Sequence, residues 1–282
     1  MGFGTGLPGE EFPDSVWAKF CEFDLLIALR LLKFKNVELY GLDKDKINIQ
    51  KYINHKNFFF RYGDIDLNNK WVNDKVKKCD IIIPLIAIAT PDTYVKDPLK
   101  VFELDFELNL KIIRLVAKYK KRLIFPSTSE VYGITNEKNF KEYTSKLTVG
   151  PVHKSRWIYS TSKQLLDRII FAYADQKNLK FTIFRPFNWI GPNLDNLKKA
   201  QMGNGRVLSI FISNILNNKN LKLVNKGIQK RSFTYIDDGI SALKKIIFVG
   251  YKRNMIYYSR KNEYDRLIEH MMQGYTVNLP KE

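Results

Sequence analysis

Short apolar runs alternate with stretches of helical periodicity along most of this chain. Val37 to Leu42 (VELYGL) reads as a strand ending at Asp43, and Phe58 to Tyr62 as another ending at Gly63-Asp64-Ile65. Ile81 to Ala89 is apolar almost without a break, the pattern of a central strand covered on both faces. Pro98 to Lys120 carries apolar residues at helical spacing, with proline at its start. Arg122 to Phe125 predicts the next strand, Trp157 to Gln176 a helix, and Phe181 to Phe184 a strand running into Arg185-Pro186-Phe187-Asn188. Beyond Pro192 the pattern loosens. Helical stretches are expected near Val207 to Leu216 and Asp237 to Ile247. Strands alternating with helices predict an α/β protein, a doubly wound parallel sheet with helices on both faces.

With 282 residues, of which 45% are hydrophobic, the chain can bury a large core in one or two domains. The formal net charge of +18 raises the question of a nucleic-acid partner. The lysines are dispersed, however, and a typical cluster (Lys118, Lys120, Lys121) falls at a predicted helix end, where cations suit the helix dipole. The charge therefore reads as compositional. No apolar run reaches the ~18 residues of a membrane span. No basic segment followed by an apolar one opens the chain, so a cytoplasmic protein is expected. Two cysteines, Cys21 and Cys79, and three scattered histidines, His55, His153 and His270, show no disulfide framework or metal spacing, and no metal is expected.

The chemistry concentrates in Ser127-Thr128-Ser129-Glu130 and in Tyr159 and Lys163. A phenol and an ammonium at i and i+4 share one helical face. The lysine charge favours the tyrosinate, so a phenol with an ordinary pKa near ~10 can serve as a base near neutral pH. Thr128 lies just beyond the predicted strand Arg122 to Phe125. Hydroxyls at a strand's C-terminal end, facing a Tyr/Lys helix, suit hydride removal from a sugar alcohol. A Tyr-x-x-x-Lys alone is a weak signal, but together with FPSTSEVYG it is a strong one.

The segments LIAIATPDTYVKDPLKVFELDFELNLKIIR, FPSTSEVYG, WIYSTSKQLLDR and FRPFNWIGPNLDNL resemble the extended short-chain dehydrogenase/reductases. Within them the resemblance is to the UDP-glucuronate-decarboxylating dehydrogenase domain of the bifunctional polymyxin-resistance enzymes, which act on the route that adds aminoarabinose to lipid A. It runs from about Leu25 to Ile247. It implies a Rossmann-like fold, NAD as cofactor, UDP-glucuronate as substrate and room for a homo-oligomer. It also implies three regions: an atypical N-terminus over 1–24, an NAD-binding core over 25–192, and a smaller, shortened substrate lobe over 193–282. By the same resemblance, Asp43 matches the acid on the adenosine ribose, where a carboxylate favours NAD by repelling a 2′-phosphate. Asp64 and Ile65 match adenine contacts. Ala89 and Tyr94 match substrate contacts beside the nicotinamide. Thr128, Ser129 and Glu130 match the sugar-facing triplet, and Tyr159 and Lys163 the catalytic pair, with Lys163 also on the nicotinamide ribose. Arg156 and Asn188 match nucleotide-sugar contacts. Leu221 to Arg231 (LKLVNKGIQKR) resembles a loop around the UDP group, with Lys222, Lys230 and Arg231 as candidate ligands and the last two as phosphate ligands.

Each residue also has a plainer reading. Asp43 could cap a strand end, Glu130 could be a solvated acid, Tyr94 a packing aromatic, and Lys230 and Arg231 surface charge. Asp237 and Asp238 suit a helix start. The triplet discriminates among related chemistries. The resembling sugar-nucleotide 4,6-dehydratases carry Thr-Asp-Glu, whose aspartate protonates a leaving hydroxyl. Ser129 is a poor acid, which argues for decarboxylation over dehydration. The sequence departs from the family near its start. A glycine-rich phosphate loop is expected near Ala18, Cys21 and Asp24, yet no glycine occurs between Glu10 and Tyr40, and the cluster Gly2, Gly4, Gly6, Gly9 lies far upstream. After Ile247 the resemblance fades, with Asn254 to Ser259 (NMIYYS) resembling a worn version of the family's following strand. The expected activity is NAD-dependent oxidative decarboxylation of UDP-glucuronate. The alternatives are an impaired relative that still binds a nucleotide sugar, and another UDP-sugar decarboxylase or epimerase.

Overall fold

The structure, a computed structural model, describes residues 15–19, 37–44, 46, 49–50, 52–88, 91–137, 139–191, 200–202, 205–228, 231–248 and 254–258. Seven strands form one sheet: β1 (Ser15–Lys19), β2 (Glu38–Asp43), β3 (Phe58–Tyr62), β4 (Ile81–Ile83), β5 (Arg122–Pro126), β6 (Lys180–Pro186) and β9 (Asn254–Tyr258). Their order is β3-β2-β1-β4-β5-β6-β9. Every neighbouring pair is parallel. This is the Rossmann-like, doubly wound fold expected, with the chain reversing its direction of travel across the sheet between β1 and β4. A second, two-stranded piece pairs β7 (Trp189–Ile190) with β8 (Thr234–Tyr235).

The sheet reaches beyond the 25–192 core expected from the sequence. β1 lies upstream of residue 25 and β9 downstream of residue 192. Three apolar residues bracketed by Ser15 and Lys19 give β1 no pattern long enough to announce a strand. Ala18, expected near a glycine position, stands inside β1 opposite Gly41. The apolar run from Ile81 is also shorter as a strand than it reads. Proline has no N–H to donate, so the ladder stops at Pro84, and residues 84–88 leave the sheet without regular structure, the Leu85 amide donating to the Ile83 carbonyl at 3.0 Å.

Alternation along the strands covers both faces. Ile82, Leu123, Phe125, Phe181 and Ile183 pack in one cluster with Val72 and Val76 of α1 (Asn69–Lys78), Ile112, Ile113 and Val116 of α4 (Asn109–Lys118), and Leu166 and Ile170 of α5 (Ile158–Lys177). Ile81, Ile83 and Ile124 point the other way and are buried too. Arg122 shares that second face with Ile124. Its guanidinium donates to the carbonyls of Ile247 at 3.0 Å and Ile246 at 2.6 Å. These are late carbonyls of α7 (Ile236–Phe248), so β5 caps that helix and holds it against the second face. Asp237 and Asp238 stand in the first turn of α7. The remaining long helix is α6 (Val207–Leu216). No described helix is long and apolar enough to cross a membrane.

The stretch read as one helix from Pro98 to Lys120 is divided. After α2 (Pro91–Lys96), α3 (Pro98–Phe102) starts with Pro98 in its first turn and the Asp97 carboxylate accepting from the Lys100 amide at 3.3 Å. It widens into a π-helical stretch, Glu103–Leu108, before α4 begins. Asn109 spans the junction. Its Nδ2 donates to the carbonyls of Asp105 at 3.0 Å, Leu104 at 3.3 Å and Ile86 at 2.9 Å, which ties the helix to the segment leaving β4. Helix α5 ends at Asn178, a left-handed cap with φ of 55° whose amide donates to Tyr173.

Two consequences of this packing are measurable. Gly133 has φ of +63°, and a Cβ there would lie 1.9 Å from the Thr148 carbonyl oxygen. Gly133→Ala should lower stability by about 1–3 kcal/mol in urea unfolding, and a loss below about 0.5 kcal/mol would contradict the close approach. Cys79 is fully buried, and burial, with the Asp80 charge, pushes its thiol up to about 12. In a Cys21→Ser background the native protein should therefore resist aromatic-disulfide labelling at pH 8 and react only once unfolded. Labelling of the folded protein within minutes would count against it.

Candidate active site

In a parallel sheet all C-terminal strand ends lie along one edge. Asp43 ends β2, Asp64 and Ile65 follow β3, Ser127 to Glu130 follow β5, and Phe187 and Asn188 follow β6. Asp43 is buried, and its carbonyl accepts from the Gly63 amide at 2.9 Å, which joins the exits of β2 and β3. The Asp64 carboxylate accepts from the Asp66 amide at 3.2 Å, and Ile65 is buried at the foot of α1. Asp43 stands on one side of the reversal between β1 and β4, and the residues after β5 stand on the other.

Tyr159 and Lys163 sit on the buried side of α5, one turn apart. Lys163 is 1% exposed, and its ammonium donates to the Pro126 carbonyl at 3.2 Å. It lies 5.0 Å from the Phe125 ring centroid and 6.0 Å from that of Tyr159. The lysine thus bridges the end of β5 to the face that carries the phenol. Tyr94, from α2, stacks on Tyr159 with centroids 4.8 Å apart and planes 12° from parallel. Burial, then the neighbouring Tyr159, Glu130 and Asp105, push the Tyr94 phenol well above its ordinary range. Tyr94 is therefore a neutral phenol at physiological pH, suited to bracing the Tyr159 ring rather than to accepting a proton.

Thr128 caps the short 3₁₀ turn Ser129–Tyr132, its hydroxyl accepting from the Glu130 amide at 3.2 Å. The turn is pinned to α5 by Gln164, whose Nε2 donates to the Val131 carbonyl at 2.7 Å. Glu130 accepts from Arg156 at 3.1 Å, and Arg156, in the 3₁₀ turn Ser155–Trp157 before α5, lies over the Trp157 ring at 4.6 Å. Both partners are partly exposed, so the pair is screened and available to a ligand.

Beyond β6, Asn188 has φ of 25°, its Nδ2 donates to the Ser232 carbonyl at 2.8 Å, and its own carbonyl accepts from the Thr234 amide at 3.3 Å. These bonds draw the exposed Arg231 loop to the Asn188 edge. Lys222 is exposed between α6 and the turn Val224–Gly227. Ala89 and Lys230 lie outside the described residues, as does the segment after Lys19 where a phosphate loop would stand. The structure thus gathers Tyr94, Thr128, Ser129, Glu130, Arg156, Tyr159 and Lys163 around α5, and places Asp43, Asp64 and Ile65 at the far end of the same edge.

Two buried groups behind this set escaped the sequence reading. Arg185 donates to Asp167 at 3.0 Å and to the Tyr132 hydroxyl at 3.0 Å, and Ser127 donates to the same Asp167 oxygen at 3.0 Å. Burial pushes the Asp167 carboxyl up, against the pull of Arg185 and Ser127. This network joins β5, β6, α5 and the Thr128 turn. The second group is Asp105, fully buried with one oxygen 3.9 Å from Lys163. An arginine inside the apolar strand FTIFRP, and an aspartate and an asparagine at core positions of a helix, were the available signals. Among the described residues, no group of three or more His, Cys, Asp or Glu could hold a metal ion.

Comparison with known proteins agrees with this fold. Residues 27–252 match the NAD dependent epimerase/dehydratase family. The crystal structure of PbgP3 protein from Burkholderia pseudomallei is 44% identical, with a TM-score of 0.80 over 92% of this chain and 80% of that one. UDP-N-acetylglucosamine 4-epimerase from Methanobrevibacter ruminantium M1 is 20% identical, with a TM-score of 0.74 over 93% of this chain and 82% of that one. UDP-glucuronic acid 4-epimerase from Bacillus cereus is also 20% identical, with a TM-score of 0.72 over 87% and 77%. The last two share the fold. By the family match over most of its length, the chain belongs to the NAD dependent epimerase/dehydratase family.

Proposed function

We propose that this protein uses NAD to oxidise UDP-glucuronate at C4 and release its carboxyl carbon as carbon dioxide, leaving a UDP-4-keto-pentose. The observation that carries this reading is Ser129, which stands between Thr128 and Glu130 on a turn packed against α5. A carboxylic acid there would suit loss of a hydroxyl. A serine leaves no group able to protonate a leaving oxygen at that place. On this reading the reaction is the oxidative step of the lipid A aminoarabinose route, as in the polymyxin-resistance enzymes that the sequence resembles.

The residues present fit a dinucleotide. Buried Asp43 at the end of β2 suits a ribose diol and disfavours a 2′-phosphate, which selects NAD over NADP. Asp64 and Ile65 would flank the adenine, and Lys163 would hold the nicotinamide ribose. NAD supplies the hydride acceptor when bound.

Tyr159 takes the C4 hydroxyl proton, with the Lys163 charge favouring its phenolate. Thr128 orients the C4 oxygen. Loss of hydride and proton turns C4 into a ketone β to the carboxylate. The C5–C6 bond then breaks, carbon dioxide leaves with its electron pair delocalised into the C4 carbonyl as an enolate, and a proton, equivalent to the one Tyr159 took from the C4 hydroxyl, adds at C5 to give the 4-keto-pentose. Ser129 and Glu130 assist at C5 and the departing carboxylate. Ala89, Tyr94, Arg156 and Asn188 contact the nucleotide sugar, and Lys222, Lys230 and Arg231 the UDP group. The 1–24, 25–192 and 193–282 division then separates the chain's start, cofactor-binding core and substrate lobe by role, although the sheet borrows a strand from each flank. A second reading is a relative that binds nucleotide sugar without turnover. The lack of any glycine between Glu10 and Tyr40 favours it.

Mixing the protein with NAD and UDP-glucuronate should raise absorbance at the NADH band, with NAD binding seen by calorimetry on the same sample. NAD binding without NADH would favour the second reading, and neither signal would sink the first. Tyr159→Phe should cut NADH formation by about 10³-fold while leaving UDP-glucuronate affinity within about threefold. Loss of sugar binding instead would remove Tyr159 from the proton-transfer role.

A further inference from the structure

We propose that Asp105 is a positioning residue for the Tyr159–Lys163 pair: one carboxylate oxygen balances the Lys163 ammonium while the other holds the backbone of Ile88. This rests on the reading of Tyr159 and Lys163 as the proton-accepting pair. Asp105 is fully buried and Lys163 is 1% exposed. Their charged atoms are 3.9 Å apart. The second Asp105 oxygen accepts from the Ile88 amide at 2.9 Å. Asn109 fixes the same arrangement from the next turn, bonding the Asp105 carbonyl and the Ile86 carbonyl together. The π-helical stretch is thus fastened at two points to the segment leaving β4 and faces the lysine from there.

An ammonium cut off from water is costly unless opposed by a nearby negative charge. At 3.9 Å the attraction is Coulombic rather than a hydrogen bond, so Asp105 tempers the lysine's field without itself taking one of its N–H groups. Among the described residues, the other charged or titratable groups facing the pair include Tyr94 from α2, Glu130 from the turn after β5, Arg156 from the turn before α5, Asp167 on α5 itself and Arg185 from β6. Asp167 and Arg185 are engaged with each other, and Glu130 with Arg156. Glu103 and Glu107, on the same π stretch, are exposed. Asp105 lies within ion-pair distance of Lys163 itself.

The test is the ionisation of Tyr159, read without turnover by NMR of protein carrying ring-labelled tyrosine, with the resonance assigned through Tyr159→Phe. Asp105→Asn keeps an oxygen for Ile88 but removes the charge. The positive field of Lys163 on Tyr159 is then less opposed, so Tyr159 should ionise at a pH lower by about half a unit or more. The acid limb of kcat should move with it, while KM for UDP-glucuronate stays within about twofold. An unchanged Tyr159 midpoint in folded Asp105→Asn overturns the proposal. Thermal unfolding supplies a second measurement. Removing both charges (Asp105→Asn with Lys163→Met) should give a protein more stable than Asp105→Asn alone, and additive losses would overturn the pairing. Absence of NADH from the unaltered protein would count against the functional reading, and the titration and unfolding data would still decide for or against Asp105.

Discussion

An ammonium group buried at the C-terminal edge of the sheet is the constraint around which the site is arranged. Lys163 cannot be removed from water without opposing charge and dipole, and the structure supplies both from different elements. Pro126 offers a carbonyl from the end of β5, Asp105 a carboxylate from the helix after β4, and the Phe125 ring a π-face. Each of these partners is thereby held to α5. Meeting the needs of one charge places the phenol of Tyr159, the turn bearing Thr128 and the exit of β4 around a single point.

A second buried charge stiffens the same region from behind. Arg185, in the middle of an apolar strand, is held by Asp167 and Tyr132, and Ser127 shares the Asp167 oxygen. The residue just before Thr128 is therefore bonded to α5, and a buried pair so well supplied with hydrogen bonds has little freedom to rearrange. Contrast the Glu130–Arg156 pair at the surface, which a ligand can part at small cost.

Much of this was legible in the chain. Continuous apolar runs marked β2, β5 and β6 because strands covered on both faces need no polar alternation. The Tyr159–Lys163 spacing was visible because an α-helix brings i and i+4 together. What stayed hidden depends on pairing that no local pattern carries. β1 is three apolar residues between polar ends and becomes a central strand only because β2 and β4 flank it. Asp105 and Asn109 look like interruptions of a helical stripe until the carbonyls and the ammonium they meet are in place. Lys230 and Ala89 carry expectations that lie outside the described residues.

The π-helical stretch at Glu103–Leu108 has a geometric consequence of its own. An α-helix advances about 100° per residue, so side chains four apart drift about 40° around the axis with each step. Over Val101, Asp105 and Asn109 that drift would swing the last of three inward groups toward the rim. A wider turn cancels part of the rotation and keeps all three buried. The stretch thus works as a phase correction: one loosened turn keeps an apolar side chain, a charge and an amide on a common line. A single deletion within it would restore ordinary pitch and rotate the carboxylate away from the lysine, with every residue type unchanged.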